Sequence, residues 1–333
     1  MNKKARRLND DDFPSHNETL GFIEKLNSEN WEEFDGLDSG KYIKEIHQRI
    51  TGISKMLSAY LLIGPNEMAN HFKFFRVRKT SEIKNKFLRS EFSYPPATFS
   101  NSNLRANLKG CPVFYASDHP TVALLEYLQQ WEDPSKYVET EFVISRWKMN
   151  HPHKIVMAPF IPKTVQNVNE YTVLSQFTND EFRKRVGVEL NDDKINGLRE
   201  MHEYFSNLFI NDKNRTISSY IGHYYLYYMA PLITTLFIFP SKMAKHGKLN
   251  FAIHPNVVDE RMEISHIYRV KVKSIRDFGK KGMEFNFDIV NDFGVNENTR
   301  IVWSPINEVS DYFQENFKKD WGQEFNMPNS GSM

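Results

Sequence analysis

The chain has one cysteine, Cys111, in 333 residues. A single thiol cannot close an intramolecular disulfide or build a cysteine-based zinc site. Cys111 sits before a short apolar run and reads as a small buried hydrophobe, with a catalytic thiol as the other reading. An excess of either charge is also missing. The 43 basic residues face 42 acidic ones, so no global field favours nucleic acid or an anionic membrane, and only a local basic pocket stays open. No apolar run approaches the roughly 20 residues that cross a bilayer. The opening MNKKARRLNDDDFP is basic but has no apolar segment behind it, so no secretory signal is read there and a cytoplasmic protein is expected. In that setting the sequons at Asn17 and Asn214 carry no glycosylation meaning. Gly-x-Gly-x-x-Gly, Gly-x-Ser-x-Gly and Walker spacings are absent. His151 and His153 lack a third ligand at helical spacing and read as a surface loop, so no metal is expected.

What is present is length, apolar content and aromatic bulk. The length implies one catalytic domain with sizeable extensions, or two domains, and 40% apolar residues suffice for a large core. Twenty-six Phe and 15 Tyr predict aromatic-rich packing or stacking surfaces. Ser15 with Glu18 has capping-box spacing ahead of Leu20, Ile23 and Leu26. Ile43, Ile46, Ile50, Ile53, Leu57 and Tyr60 form one stripe, which predicts a helix over 40–62 that packs on its own chain or forms a homodimer or partner seam. FKFFRV, YVETEFVISRW and LFIFP read as strands, residues 179–210 and SSYIGHYYLYYMAP as helices. Five tyrosines from Tyr220 to Tyr228 read as core contacts of that last helix. YRVKVKSI and MEFNFDIV around GKKG predict a β-hairpin, followed by a helix near 306–318. The division expected is a helical extension at 1–70, a catalytic domain at 71–258, and a hairpin-and-helix extension at 259–333.

The most informative stretch is NLRANLKGCPVFYASDHPTVALLE, residues 103–126. VFY reads as a strand, Ser117 and Asp118 are N-cap candidates, and Pro120 suits a first helical turn. Glu126 then falls two turns into the helix, with Val122 and Ala123 at i−4 and i−3, so a carboxylate shares an apolar face. Arg76 in FFRVR, Arg105 and Asn107 in LRANLKG, Tyr115, Ser241 after LFIFP and Asn250 in KLNFAIHP complete a polar set. Arginine forks grip a pyrophosphate bidentately, and a Tyr ring offers a face to a planar heterocycle. A fixed carboxylate stabilises the oxocarbenium-like ribose formed when an N-glycosidic bond breaks. Nicotinamide leaves as a neutral molecule from a cationic ring, so one carboxylate suffices.

In order, Arg76, Arg105, Asn107, Tyr115, Glu126, Ser241 and Asn250 resemble the pattern of the RES domain family, over roughly residues 72–258. One departure is LITTLFIFPS, where the family usually carries an Asp-Gly-Ile type turn before its Ser. The resemblance implies an α/β (α+β) fold with the mixed two-sheet core of ADP-ribosyltransferases, flanking helices, and cleavage of NAD+ to nicotinamide with water or phosphate as acceptor. NAD+ is then substrate and no cofactor is implied. The family includes toxins of toxin-antitoxin systems, so a cognate antitoxin is an implied partner. Carried onto this chain, Arg76 and Arg105 bind the phosphates, Tyr115 packs on the nicotinamide or its ribose, and Glu126 stabilises the ribosyl cation. Ser241 positions ribose or nicotinamide, and Asn250 supports that loop. Two other readings remain: ADP-ribose transfer to a protein or nucleic acid, and a catalytically silent interaction protein using the 40–62 helix and the C-terminal hairpin.

Overall fold

The computed structural model describes residues 13–34, 39–53, 62–64, 72–128, 133–150, 155–162, 190–211, 215–229, 235–242, 248–277, 283–297, 300–306 and 310–322. The fold is mixed α/β, with mostly antiparallel strands. Its elements are α1 (His16–Ser28), α2 (Ser39–Ile53), β1 (Leu62–Gly64), β2 (Phe74–Lys79), β3 (Phe114–Ser117), α3 (Pro120–Leu128), β4 (Glu141–Met149) and β5 (Ile155–Pro159), followed by α4 (Asp192–Asn211) and α5 (Arg215–His223). After them come β6 (Leu236–Pro240), β7 (Leu249–Ile253), α6 (Pro255–Arg261), β8 (Met262–Asp277), β9 (Met283–Glu297), β10 (Arg300–Pro305) and α7 (Ser310–Trp321). No helix among the described residues is long and apolar enough to cross a membrane.

The chain clusters into two compact units, the first made of Met1–Asn66, Pro95–Phe114 and His153–Pro255 and the second of Glu67–Tyr94, Tyr115–Pro152 and Asn256–Met333. In the first, β5 lies between β1, antiparallel to it, and β6, parallel to it, and β7 pairs antiparallel with β6. α1 opens on the capping box expected of Ser15 and Glu18, the Glu18 carboxylate accepting from the Ser15 N–H at 2.7 Å. Ile46 and Ile50 of α2 are buried by the chain itself, in a unit where α2 contacts α1 and α5. The helix expected to run to residue 62 differs at its end. Leu62 belongs to β1, because the local apolar stripe does not register that Leu62–Gly64 finds a strand partner in β5. Ile53 closes α2, and Leu57 and Tyr60 lie outside the described residues.

α5 runs straight into a π-helical turn, Tyr224–Tyr228, so the wider winding redistributes the tyrosines. Tyr220 and Tyr225 are buried, as expected, whereas Tyr228 is exposed. The Tyr227 hydroxyl donates to the Pro112 carbonyl.

In the second unit the antiparallel order is β3-β2-β4-β8-β9-β10. β8 and β9 form the expected hairpin, with Asp277 opposite Met283; its GKKG turn is outside the described residues, as are His151 and His153. Strand alternation sends Phe142, Ile144, Tyr268 and Val270 into a core closed by α3 and α7. α7 contributes Phe313, Phe317 and Trp321, spaced four apart on one face, and all three ring edges or faces meet Tyr268. Beside them Asp320, 2% exposed, accepts from the Tyr268 hydroxyl at 2.9 Å and from His266 Nε2 at 2.8 Å, with the Arg146 guanidinium 3.4 Å away.

Burial pulls His202, His223 and His266 below the ordinary imidazole value, His223 to about 4 with the help of His254. Folding therefore favours their neutral forms. The associated stability is fully present above the unfolded value of 6.5 and is lost as pH falls towards the folded values. Melting temperature is expected to be flat from pH 8 to 7 and to drop below about pH 6.5. The drop should shrink in His223→Gln; an equal drop in that variant would assign the acid lability to other groups.

Candidate functional site

Arg76 projects from β2 and is half-buried. Its Nε donates to the Ser93 carbonyl at 2.9 Å and its Nη1 to the Tyr115 carbonyl at 3.1 Å. Burial, and then the charge of Arg78, bring its pKa down to about 10, so it stays cationic at neutral pH. The guanidinium thus ties the start of β3, and with it Tyr115, to β2. Sequence reasoning offered Arg76 as a phosphate ligand and gave no sign of this main-chain role, because both carbonyls are far away along the chain. Arg76→Ala would leave both carbonyls without these donors. It is expected to lower stability by about 1–3 kcal/mol in addition to any loss of ligand affinity. Thermal denaturation checks this, and an unchanged melting temperature would return Arg76 to a purely ligand-binding role.

α3 places Glu126. The helix starts at Pro120, whose fixed φ suits the first position, and the cap is His119. The His119 carbonyl accepts from Ala123 at 3.0 Å and its Nδ1 from the Thr121 N–H at 3.2 Å. Ser117 and Asp118, the expected cap candidates, lie two residues and one residue too early: Ser117 is the end of β3, paired opposite Phe75. An imidazole satisfying an N-terminal donor is outside the usual Ser, Thr, Asp and Asn preference, so side-chain preference alone points to Ser117 and Asp118 instead. Leu124 and Leu128 are fully buried in the core, and Glu126, midway between them, falls on the other side of the helix. Val122 and Ala123 are buried and Glu126 is half-buried, as its spacing to them implied. Arg76, Tyr115 and Glu126 all belong to the second unit, where α3 packs on β2 and β4.

Arg105, Asn107, Ser241 and Asn250 belong to the first unit. Ser241 follows β6, is 6% exposed, and donates its N–H to the Lys248 carbonyl at 2.9 Å. Asn250 lies on β7 opposite Phe239. Strand alternation then puts Ser241, Phe239 and Asn250 on one face of the β6–β7 pair, the face on which Phe209 of α4 meets Phe239. Both polar residues are buried.

Arg105 and Asn107 sit in a loop folded on itself. Leu104 N–H donates to the Asn107 carbonyl at 3.0 Å, and Gly110, at φ +79°, donates to the Ser100 carbonyl at 2.8 Å. That left-handed backbone favours glycine. Arg105 is half-buried. Asn107 is 1% exposed and its amide donates to the Leu108 carbonyl at 3.0 Å, so its described bonds shape the loop. α5 lies directly against this loop. Ser219 Oγ donates to the Leu104 carbonyl, and a Cβ on Gly222 would stand 2.4 Å from the Ala106 Cα. Neither residue belongs to a motif; Ser219 acts through its hydrogen bond and Gly222 through its lack of a side chain, and both roles become visible only once α5 and the loop touch. Cys111 closes the loop half-buried, with its thiol pushed up by burial, which fits the hydrophobe reading and not a reactive thiolate. Among the described residues no group of three or more His, Cys, Asp or Glu is arranged to hold a metal.

The sequence pattern of the RES domain matches residues 73–271. The matched stretch contains every candidate residue from Arg76 to Asn250 and covers more than half of the chain. No curated protein matches the chain. The chain belongs to the RES domain family, a family associated with NAD+-processing enzymes.

Proposed function

We propose that the protein cleaves NAD+ at the bond between nicotinamide and ribose, with water or phosphate as acceptor, in the manner of a RES-type toxin. The observation that carries this reading is the order of Arg76, Arg105, Asn107, Tyr115, Glu126, Ser241 and Asn250 within the matched domain. In the reaction the bond from ribose C1′ to the ring nitrogen breaks and both electrons go to nicotinamide, cancelling its positive charge. An oxygen of water or phosphate then bonds C1′ and gives up a proton. The half-buried carboxylate of Glu126 would oppose the charge developing on the ribose, in a setting where such electrostatic stabilisation is worth most. Arg105 would hold the pyrophosphate through its fork of N–H donors, with Arg76 beside Tyr115 supporting the ring that packs on the nicotinamide end. Ser241 and Asn250, on their shared face, would orient the ribose.

The test is incubation of the purified protein with NAD+, with and without phosphate, following free nicotinamide. Release of nicotinamide with ADP-ribose or its phosphate ester as co-product supports the proposal. Release only when a protein or nucleic acid is added, with ADP-ribose attached to it, would replace it by transferase activity, and no release would overturn it.

A further inference from the structure

We infer that the segment ahead of the matched domain sets the conformation of the loop carrying Arg105, and that Asn103 is the positioning residue through which it acts. The inference rests on the phosphate-binding role proposed above for Arg105.

Asn103 is 8% exposed and uses both ends of its side-chain amide. Nδ2 donates to the Phe34 carbonyl at 3.1 Å, and Oδ1 accepts from the Lys109 N–H at 2.9 Å. One planar group therefore joins the N-terminal segment to the returning limb of the loop, and Arg105 and Asn107 lie between Asn103 and Lys109. The Phe34 end is itself held. The Phe34 ring packs on Tyr42 of α2 at 5.0 Å, and Tyr42 donates to the Glu32 carbonyl at 3.0 Å. Just before it, Trp31 donates to the Leu26 carbonyl at 2.8 Å, and Arg49 bridges Glu29 at 2.6 Å while lying 4.2 Å over the Trp31 ring. Ser219 and Gly222 also lie against the loop, at Leu104 and Ala106, and α5 is joined to α2 by the hydrogen bond between His47 and Tyr220. The residues doing this on the N-terminal side, 29–49, lie outside the stretch that matches the family, 73–271. A loop closed on itself by one hydrogen bond and tied to a braced neighbour by a second, buried one presents its arginine with less ordering left to do on binding.

The test uses the full chain with Asn103→Ala, which removes both bonds, and Asn103→Asp, which keeps the Lys109 bond and loses the donor to Phe34. Amide hydrogen exchange is read at Leu104, Lys109 and Gly110, alongside KM for NAD+ and kcat. Faster exchange confined to this loop is expected in both variants, with KM raised about tenfold and kcat within twofold of wild type. Circular dichroism identifies a variant that fails to fold, in which case the Asp variant alone decides. Unchanged exchange in the loop, exchange raised equally throughout the chain, or kcat falling with KM unchanged would overturn the inference. If wild-type protein releases no nicotinamide, the exchange measurement still decides whether Asn103 orders the loop, while the proposed reaction falls separately.

Discussion

Glu126→Gln is expected to lower nicotinamide release from NAD+ by roughly two to three decades, the scale of losing one preorganised electrostatic group. The amide keeps the size and hydrogen-bonding shape of the carboxylate and removes only its charge. α3 should tolerate the change, because the residues that fix it, Leu124 and Leu128, point into the core and its start is set by Pro120 and His119. Melting temperature within about 2 °C of wild type is therefore part of the expectation. A rate within threefold of wild type would remove Glu126 from the chemistry, whatever the fate of the rest of the site.

The second large effect is on stability. Asp320→Ala is expected to cost about 3–5 kcal/mol, because it strips the part-buried Arg146 guanidinium of its counter-charge and leaves the buried Tyr268 and His266 without their acceptor. At about 2–4 °C per kcal/mol for a unit of this size, thermal denaturation should resolve it easily. Asp320→Asn should cost less, since an amide oxygen still accepts from Tyr268, and the difference between the two variants isolates the charge. A loss below about 1 kcal/mol for Asp320→Ala would mean that water replaces the carboxylate, as at exposed ion pairs. Asp320 lies beyond residue 271, the end of the matched domain, while Arg146, His266 and Tyr268 lie within it, so the C-terminal helix is joined to β4 and β8 through a carboxylate that the matched stretch does not include.

How well each feature could be read from the sequence followed the range of the interactions behind it. The capping box at Ser15 and Glu18, the hairpin of β8 and β9, and the strands around Arg76 and Tyr115 are written in neighbouring residues, and all formed as their patterns implied. The tyrosine run was only half right. Helical spacing placed Tyr220 and Tyr225 inside, but the π-helical turn rotated Tyr228 outwards, and nothing local announces that turn. The cap of α3 was missed because the preference rules rank side chains, whereas His119 is selected by where its ring nitrogen meets the Thr121 N–H. The α2 stripe was sound up to Ile53, but residue 62 was claimed by a strand partner nearly a hundred residues away.

By itself the sequence determined the mixed α/β class, the family, and the identity and order of the polar residues, since apolar periodicity and short motifs depend on contacts within a few positions. Tertiary structure alone decided what those residues lean on. The grip of Arg76 on the Ser93 and Tyr115 carbonyls, the brace from Phe34 through Asn103 to Lys109, and the anchoring of α7 through Asp320 each join segments remote in the chain. Such pairings leave no periodic trace, because directional hydrogen bonds between buried groups are chosen by which backbone surfaces meet once the core has closed.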